Sequence, residues 1–161
     1  MSKYHQGSFI AQLYSTTPGH EGCVRVTEHG AVPTDDGWLT LDENAQLILF
    51  NFVYQTQTDD RIHFKITAVQ PGRWEGTTLE LSRNDYLGLY STTSTADFWK
   101  VEPLGDWQKD STLDFILRSH HGRQVGIYKG QYLTLGTEPV ATFQARIVAR
   151  AADEIGLSRS I

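Results

Sequence analysis

The chain has 161 residues, 39% hydrophobic and 20% charged, with 14 basic against 19 acidic side chains and a net charge of -5. That length suits one domain able to bury roughly 70% of its unfolded surface, and the acidic balance argues against nucleic acid, heparin-like polyanions and anionic membranes as partners. Cys23 is alone, so no internal disulfide forms. The polar start, Met1 to Gln6, lacks the apolar core of a signal peptide, and no apolar run reaches membrane-spanning length, so the expectation is a cytoplasmic or non-classically secreted protein without membrane insertion.

In chain order, Phe9, Ala11 and Leu13 alternate with Ile10 and Gln12, the period of a strand with one buried face. Dense turn signals follow at Pro18-Gly19-His20-Glu21-Gly22, then Val24-Arg25-Val26 resumes alternation. A loop from Gly30 to Gly37, containing Asp35 and Asp36, delivers Trp38-Leu39-Thr40-Leu41, and Phe50-Asn51-Phe52-Val53 closes the unit. The same grammar then recurs. Ile62, Phe64 and Ile66 form the next strand, a turn runs Pro71-Gly72-Arg73-Trp74-Glu75-Gly76, and Leu79-Glu80-Leu81 leads through Ser82 to Asp85 into Tyr86-Leu87-Gly88-Leu89. Phe98-Trp99-Lys100-Val101 ends this second unit. The third runs Leu113, Phe115, Leu117, a turn at Ser119-His120-His121-Gly122-Arg123, then Val125-Gly126-Ile127, Tyr132-Leu133-Thr134-Leu135 and Phe143-Gln144-Ala145-Arg146.

The aromatic-Leu-x-Leu phrase thus begins at 38, 86 and 132, a repeat of nearly fifty residues with units at approximately 9–55, 61–103 and 112–148. Helical periodicity is nearly absent. Ala149 to Leu157 has the composition of a short helix or a loose tail, within a 149–161 tail, while Gln55 to Asp60 and Gly105 to Ser111 read as polar linkers between units. The expected class is all-β, one domain over 1–161.

Three units of four strands, each with an aromatic-Leu-x-Leu strand and a later Phe strand, resemble a β-trefoil. The phrases Phe115 to Gly122 and Val125 to Leu133 are similar to repeats of the fascin and hisactophilin branch. No Gln-x-Trp closes any unit, a departure from the ricin-type branch that removes its sugar site as a guide.

Chemistry-bearing constellations are sparse. No Gly-x-Ser-x-Gly elbow or cysteine-protease pattern occurs, so no catalytic residues are assigned and no enzyme is expected. Cys23 reads as a small buried side chain. His5, His20, His29 and His63 are scattered, and His120 and His121 would diverge on a strand and converge only through a turn, so no metal site or cofactor is assigned.

The positional signal is stronger. The loop between the first two strands of each unit pairs a turn glycine with His20 and Glu21, with Arg73, Trp74 and Glu75, and with His120, His121 and Arg123. Sugar recognition uses such a mixture, a ring face for the pyranose C–H surface and planar polar groups for hydroxyls. Trp74 serves equally well as a hydrophobic lid over the barrel end. A second candidate surface is the turn before each aromatic, where Asn84, Asp85 and Gln131 offer ligand hydrogen bonds or simply make the hairpin. Trp38, Tyr86, Tyr132, Phe50, Phe98 and Phe143 recur in register as barrel or barrel-end packing, and Trp107 in its polar linker stands out as an exposed aromatic.

The expected function is a non-enzymatic carbohydrate-binding protein, a lectin with up to three pseudo-symmetric sites of galactose or GalNAc type. Its partners would be glycans or glycoproteins, with a homo-oligomer open. The alternative is a protein-binding trefoil, either an actin-associated module, which the fascin resemblance implies, or a protease inhibitor presenting a rigid loop. A lone acidic domain counts against the actin version.

Overall fold

The computed structural model describes residues 7–27, 37–69, 75–90, 98–107 and 112–150. Those residues are all-β. The strands are β1 (Phe9–Ser15), β2 (Gly22–Cys23), β3 (Arg25–Val26), β4 (Gly37–Thr40), β5 (Gln46–Leu47), β6 (Phe50–Gln57) and β7 (Ile62–Ala68). Then follow β8 (Thr78–Leu81), β9 (Leu87–Tyr90), β10 (Trp99–Pro103), β11 (Thr112–Arg118), β12 (Val125–Tyr128), β13 (Tyr132–Leu135) and β14 (Phe143–Arg150). Among the described residues no helix is long and apolar enough to cross a membrane.

Six strands close into an antiparallel barrel. β1 pairs β6, β6 pairs β7, β7 pairs β10, β10 pairs β11, β11 pairs β14, and β14 returns to β1. Closure leaves none of the six with an open edge, which removes the pairing hazard of a free strand. The alternation read from the sequence holds in the first strand of each unit. β1, β7 and β11 bury every second side chain, among them Phe9 and Leu13, Ile62 and Phe64, and Phe115 and Leu117. Inside, Phe9 stacks on Phe52 at 4.8 Å, and Phe115 lies edge-on to Phe52 at 6.2 Å and tilted against Phe143 at 5.8 Å.

Because β1, β7 and β11 run in one direction round the barrel, their C-terminal ends share a rim. Each continues there into a hairpin: β3–β4, β8–β9 and β12–β13. The hairpins pair with one another. Trp38 in β4 faces Gly88 in β9, Tyr132 in β13 faces Thr40, and Tyr86 bridges Thr134. Trp38, Tyr86 and Tyr132 form a ring triangle at their meeting point, with centroids 4.8, 6.1 and 5.7 Å apart. Thr40, Gly88 and Thr134 are buried as well as Leu39, Leu87, Leu89, Leu133 and Leu135, because these short strands are packed on both faces.

Five sequence expectations need correction. Trp107 is buried rather than exposed: its indole N–H donates to the Asp114 carbonyl at 3.0 Å and its ring stands edge-on to Phe115. The inward position that opens β10 belongs to Trp99, while Phe98 lies outside the barrel wall stacked on His63 at 4.6 Å. Cys23 is half-buried in an edge pairing rather than interior. The stretch from Gln55 is no linker at its start, since β6 runs to Gln57. Of the proposed helix over Ala149 to Leu157, Ala149 and Arg150 finish β14 as strand, and the rest lies outside the described residues.

Candidate functional site

The principal cleft lies between the second and third hairpins. It encloses about 350 Å³ and is lined by Asn84, Asp85, Tyr86, Tyr128, Thr134, Leu135 and Thr137. Its first wall is the turn between β8 and β9. Ser82 builds that turn: its hydroxyl accepts the Asn84 and Tyr86 amides at 3.2 and 3.1 Å, and its carbonyl accepts the Asp85 amide at 3.0 Å. This leaves Asp85 with φ +65°, a left-handed conformation that Asp tolerates better than most residues.

Asp85 is held at a second and a third point. The Leu135 amide donates to its carbonyl at 2.9 Å, and Arg123 Nη1 lies 3.4 Å from Oδ2. The Arg123 and Asp85 side chains are 55% and 44% exposed, so water screens the pair and it orients the carboxylate more than it stabilises the fold. The cleft is also aromatic: Tyr86 and Tyr128 meet edge-on at 6.0 Å, and Tyr128 is one of the few large exposed hydrophobics. The rear is hydroxylic. Thr134 Oγ1 and Thr137 Oγ1 share a hydrogen bond of 2.6 Å. A carboxylate, a carboxamide, two hydroxyls and two phenol rings therefore face one open cleft, equipped for hydrogen bonding and ring stacking.

The candidate residues divide. Asn84 and Asp85 come together with Arg123, joining two surfaces that the sequence kept apart. His20 lies instead beside the β12–β13 turn, where its ring is 4.0 Å from the position a Cβ would take on Gly130. That placement corresponds to Arg123 beside Asp85, one unit further round. Glu21 and Glu75 are exposed, and nothing brings them to the cleft. Arg73 and Trp74, and the Asp35-Asp36 pair, lie outside the described residues.

His120 and His121 do converge through their turn, with ring centroids 3.9 Å apart. His120 also lines a smaller cleft of about 110 Å³ with Glu80, Leu81, Phe98, Trp99 and Ser119. Phe98 joins His120 to His63, its ring 6.1 Å from the first and 4.6 Å from the second. Burial, then Lys100 and Arg61, hold the His63 imidazole below its ordinary pKa of 6.5. Among the described residues no three His, Cys, Asp or Glu side chains gather as a metal site would need.

Tyr128, Thr134 and Thr137 were not singled out in the sequence. Tyr128 directly precedes the Lys129-Gly130-Gln131 turn, the one local hint, but its meeting with Tyr86 joins two separate hairpins. Comparison with protein-family models, with curated proteins and with solved structures gives no match to this chain.

Proposed function

We propose that the chain is a β-trefoil lectin, a non-enzymatic protein that binds the terminal sugar of a glycan in the cleft between its second and third hairpins. The fold reading is supported by the six-strand barrel and by three consecutive units that each contribute two barrel strands and one hairpin. The observation that carries the ligand reading is the composition of the 350 Å³ cleft, lined by Asn84, Asp85 and two threonines together with the Tyr86 and Tyr128 rings.

A pyranose has one face of C–H bonds and a rim of hydroxyls. Stacking that face on a tyrosine ring and pairing the rim with a carboxylate uses every group present. Asp85 would accept from two adjacent hydroxyls, which favours sugars of galactose or GalNAc type where such a pair points to one side. The site is shallow, so affinity per sugar is weak and useful binding comes from multiplicity. His20 beside Gly130 is the corresponding feature of a second, unequal site. A glycan array followed by calorimetry with simple galactosides tests the reading: millimolar-range binding is expected, lost in Asp85→Ala. Silence across a broad panel ends it, and filament co-sedimentation or protease inhibition would then point to a protein ligand.

A further inference from the structure

We propose that the outer wall of the barrel carries a separate site for a tetrahedral oxyanion, a sulfate or phosphate group, where Arg61 and Arg118 converge on the Ser119–Gly122 turn beside Lys100 and His63. None of these residues lines the sugar cleft, and the site does not depend on the lectin reading. In register across three strands, Lys100 in β10 faces His63 in β7 on one side and Arg118 in β11 on the other. Lys100 and Arg118 are like charges directly opposite each other, an arrangement that costs stability and that a bound anion would relieve, while His63 is held toward its neutral form beside them.

Two guanidiniums add to the row from its end. Arg118 Nη1 donates to the Gly122 carbonyl at 2.9 Å, and Arg61 Nη1 would lie 3.6 Å from a Cβ built on that same glycine. Gly122 has φ +88°, so the turn runs in the left-handed region with no side chain, leaving the approach of both arginines clear. Arg61 Nε is buried and has no hydrogen-bond partner among the described residues. A buried guanidinium nitrogen in that condition is costly, and turning the Arg61 side chain outward onto a bound oxyanion would relieve it.

Glu102 directs one oxygen to Arg118 Nε and Nη2 at 2.8 and 2.7 Å, and among the described residues no carboxylate forms an ion pair with Lys100 or Arg61. Asp59 and Asp60 are exposed in the turn before Arg61, and Asp60 accepts from the Thr58 hydroxyl at 3.3 Å. A net charge of -5 thus coexists with a local cationic face, because at physiological salt charges beyond about 8 Å are screened and only the near ones decide. Guanidinium forks suit tetrahedral oxyanions geometrically, and the lysine ammonium supplies a further point charge.

The experiment is an amide and histidine-ring NMR titration of the whole chain with sodium sulfate, sodium phosphate and, at matched ionic strength, sodium chloride. Saturable shifts at Lys100, Gly122 and the His63 ring are expected with the two oxyanions and not with chloride, together with a rise in the His63 pKa. Arg61→Gln and Lys100→Gln should each weaken binding about tenfold, the effect of losing one charge-assisted contact. Asp85→Asn, in the sugar cleft, should leave it unchanged. Galactose 6-sulfate separates two sources of the group. Binding tighter than inorganic sulfate assigns the site to a sulfated sugar, and equal binding assigns it to the free anion. No shifts up to about 50 mM, shifts equal to those with chloride, or insensitivity to both substitutions would overturn the proposal.

Discussion

Gly126→Ala probes the joint on which the principal cleft depends. Gly126 lies in the middle of β12, bridged to Val140 and paired with Thr134, and the 137–140 segment crosses directly over it. A Cβ at this position would overlap the Thr137 carbonyl oxygen, with the carbonyl carbon at 2.6 Å and Oγ1 at 2.8 Å. The obstacle is backbone, which cannot rotate aside as a side chain tip would. The segment is also pinned: the Ile127 amide donates to the Pro139 carbonyl at 3.1 Å, the Ala141 amide to the Val125 carbonyl at 2.9 Å, and Thr137 Oγ1 bonds Thr134 Oγ1. Overpacking of this kind costs about 1–3 kcal/mol, and breaking one or two of these hydrogen bonds adds about 1 kcal/mol each. We therefore expect a loss of about 3 kcal/mol, which for a chain of this size lowers Tm by roughly 6–12 °C. Thermal and urea unfolding would measure it, with Gly136→Ala as the comparison. There the Cβ meets only the movable tip of Arg123, at 2.7 Å, and the main cost is the positive φ of +73°. Since Thr137 lines the cleft, Gly126→Ala should also weaken galactoside binding in protein that remains folded. A change in stability below about 0.5 kcal/mol would refute the packing of 137–140 over β12.

Three further outcomes are expected. Phe115→Ala empties the centre of the barrel, where its fully buried ring meets Phe52, Phe143 and Trp107, and should cost about 3–5 kcal/mol in denaturant unfolding. His63 has its pKa held below 6.5 in the folded chain, so as pH falls through that value the unfolded chain takes up the proton first. Stability should therefore decline below pH 6.5 and level off once folded His63 itself protonates, and in His63→Gln the urea midpoint should lose that part of its slope between about pH 7.5 and 5.5. Asp85→Asn, which keeps a side chain suited to φ +65°, should change stability by no more than about 1 kcal/mol, because the ion pair is half exposed, yet abolish or sharply weaken sugar binding in calorimetry.

The barrel was legible in the sequence where one rule governs a strand. Phe9, Ala11 and Leu13, or Leu113, Phe115 and Leu117, alternate because one face meets the core and the other water, and a period of two records that directly. The rule weakened where two faces are covered. In the phrases at 38, 86 and 132 the position between the leucines is buried too, and in the second unit a shift of one residue put Trp99 inside in place of Phe98. A linker tryptophan cannot announce that a carbonyl 7 residues away will take its N–H, so Trp107 looked exposed.

The cleft was half visible. Asn84, Asp85 and Arg123 are turn and loop residues of a kind that recognises ligands, and that chemistry is local. Their meeting is not local: Arg123 reaches Asp85 across 38 positions, and Tyr128 reaches Tyr86 from another hairpin. The alternation of apolar residues determined that this chain is built of strands, because burial acts residue by residue. Only the closing of the barrel decided which loops became neighbours and that Lys100, His63 and Arg118 share one cross-strand row. Strand registers are set by pairings between distant segments, and no single segment contains that information.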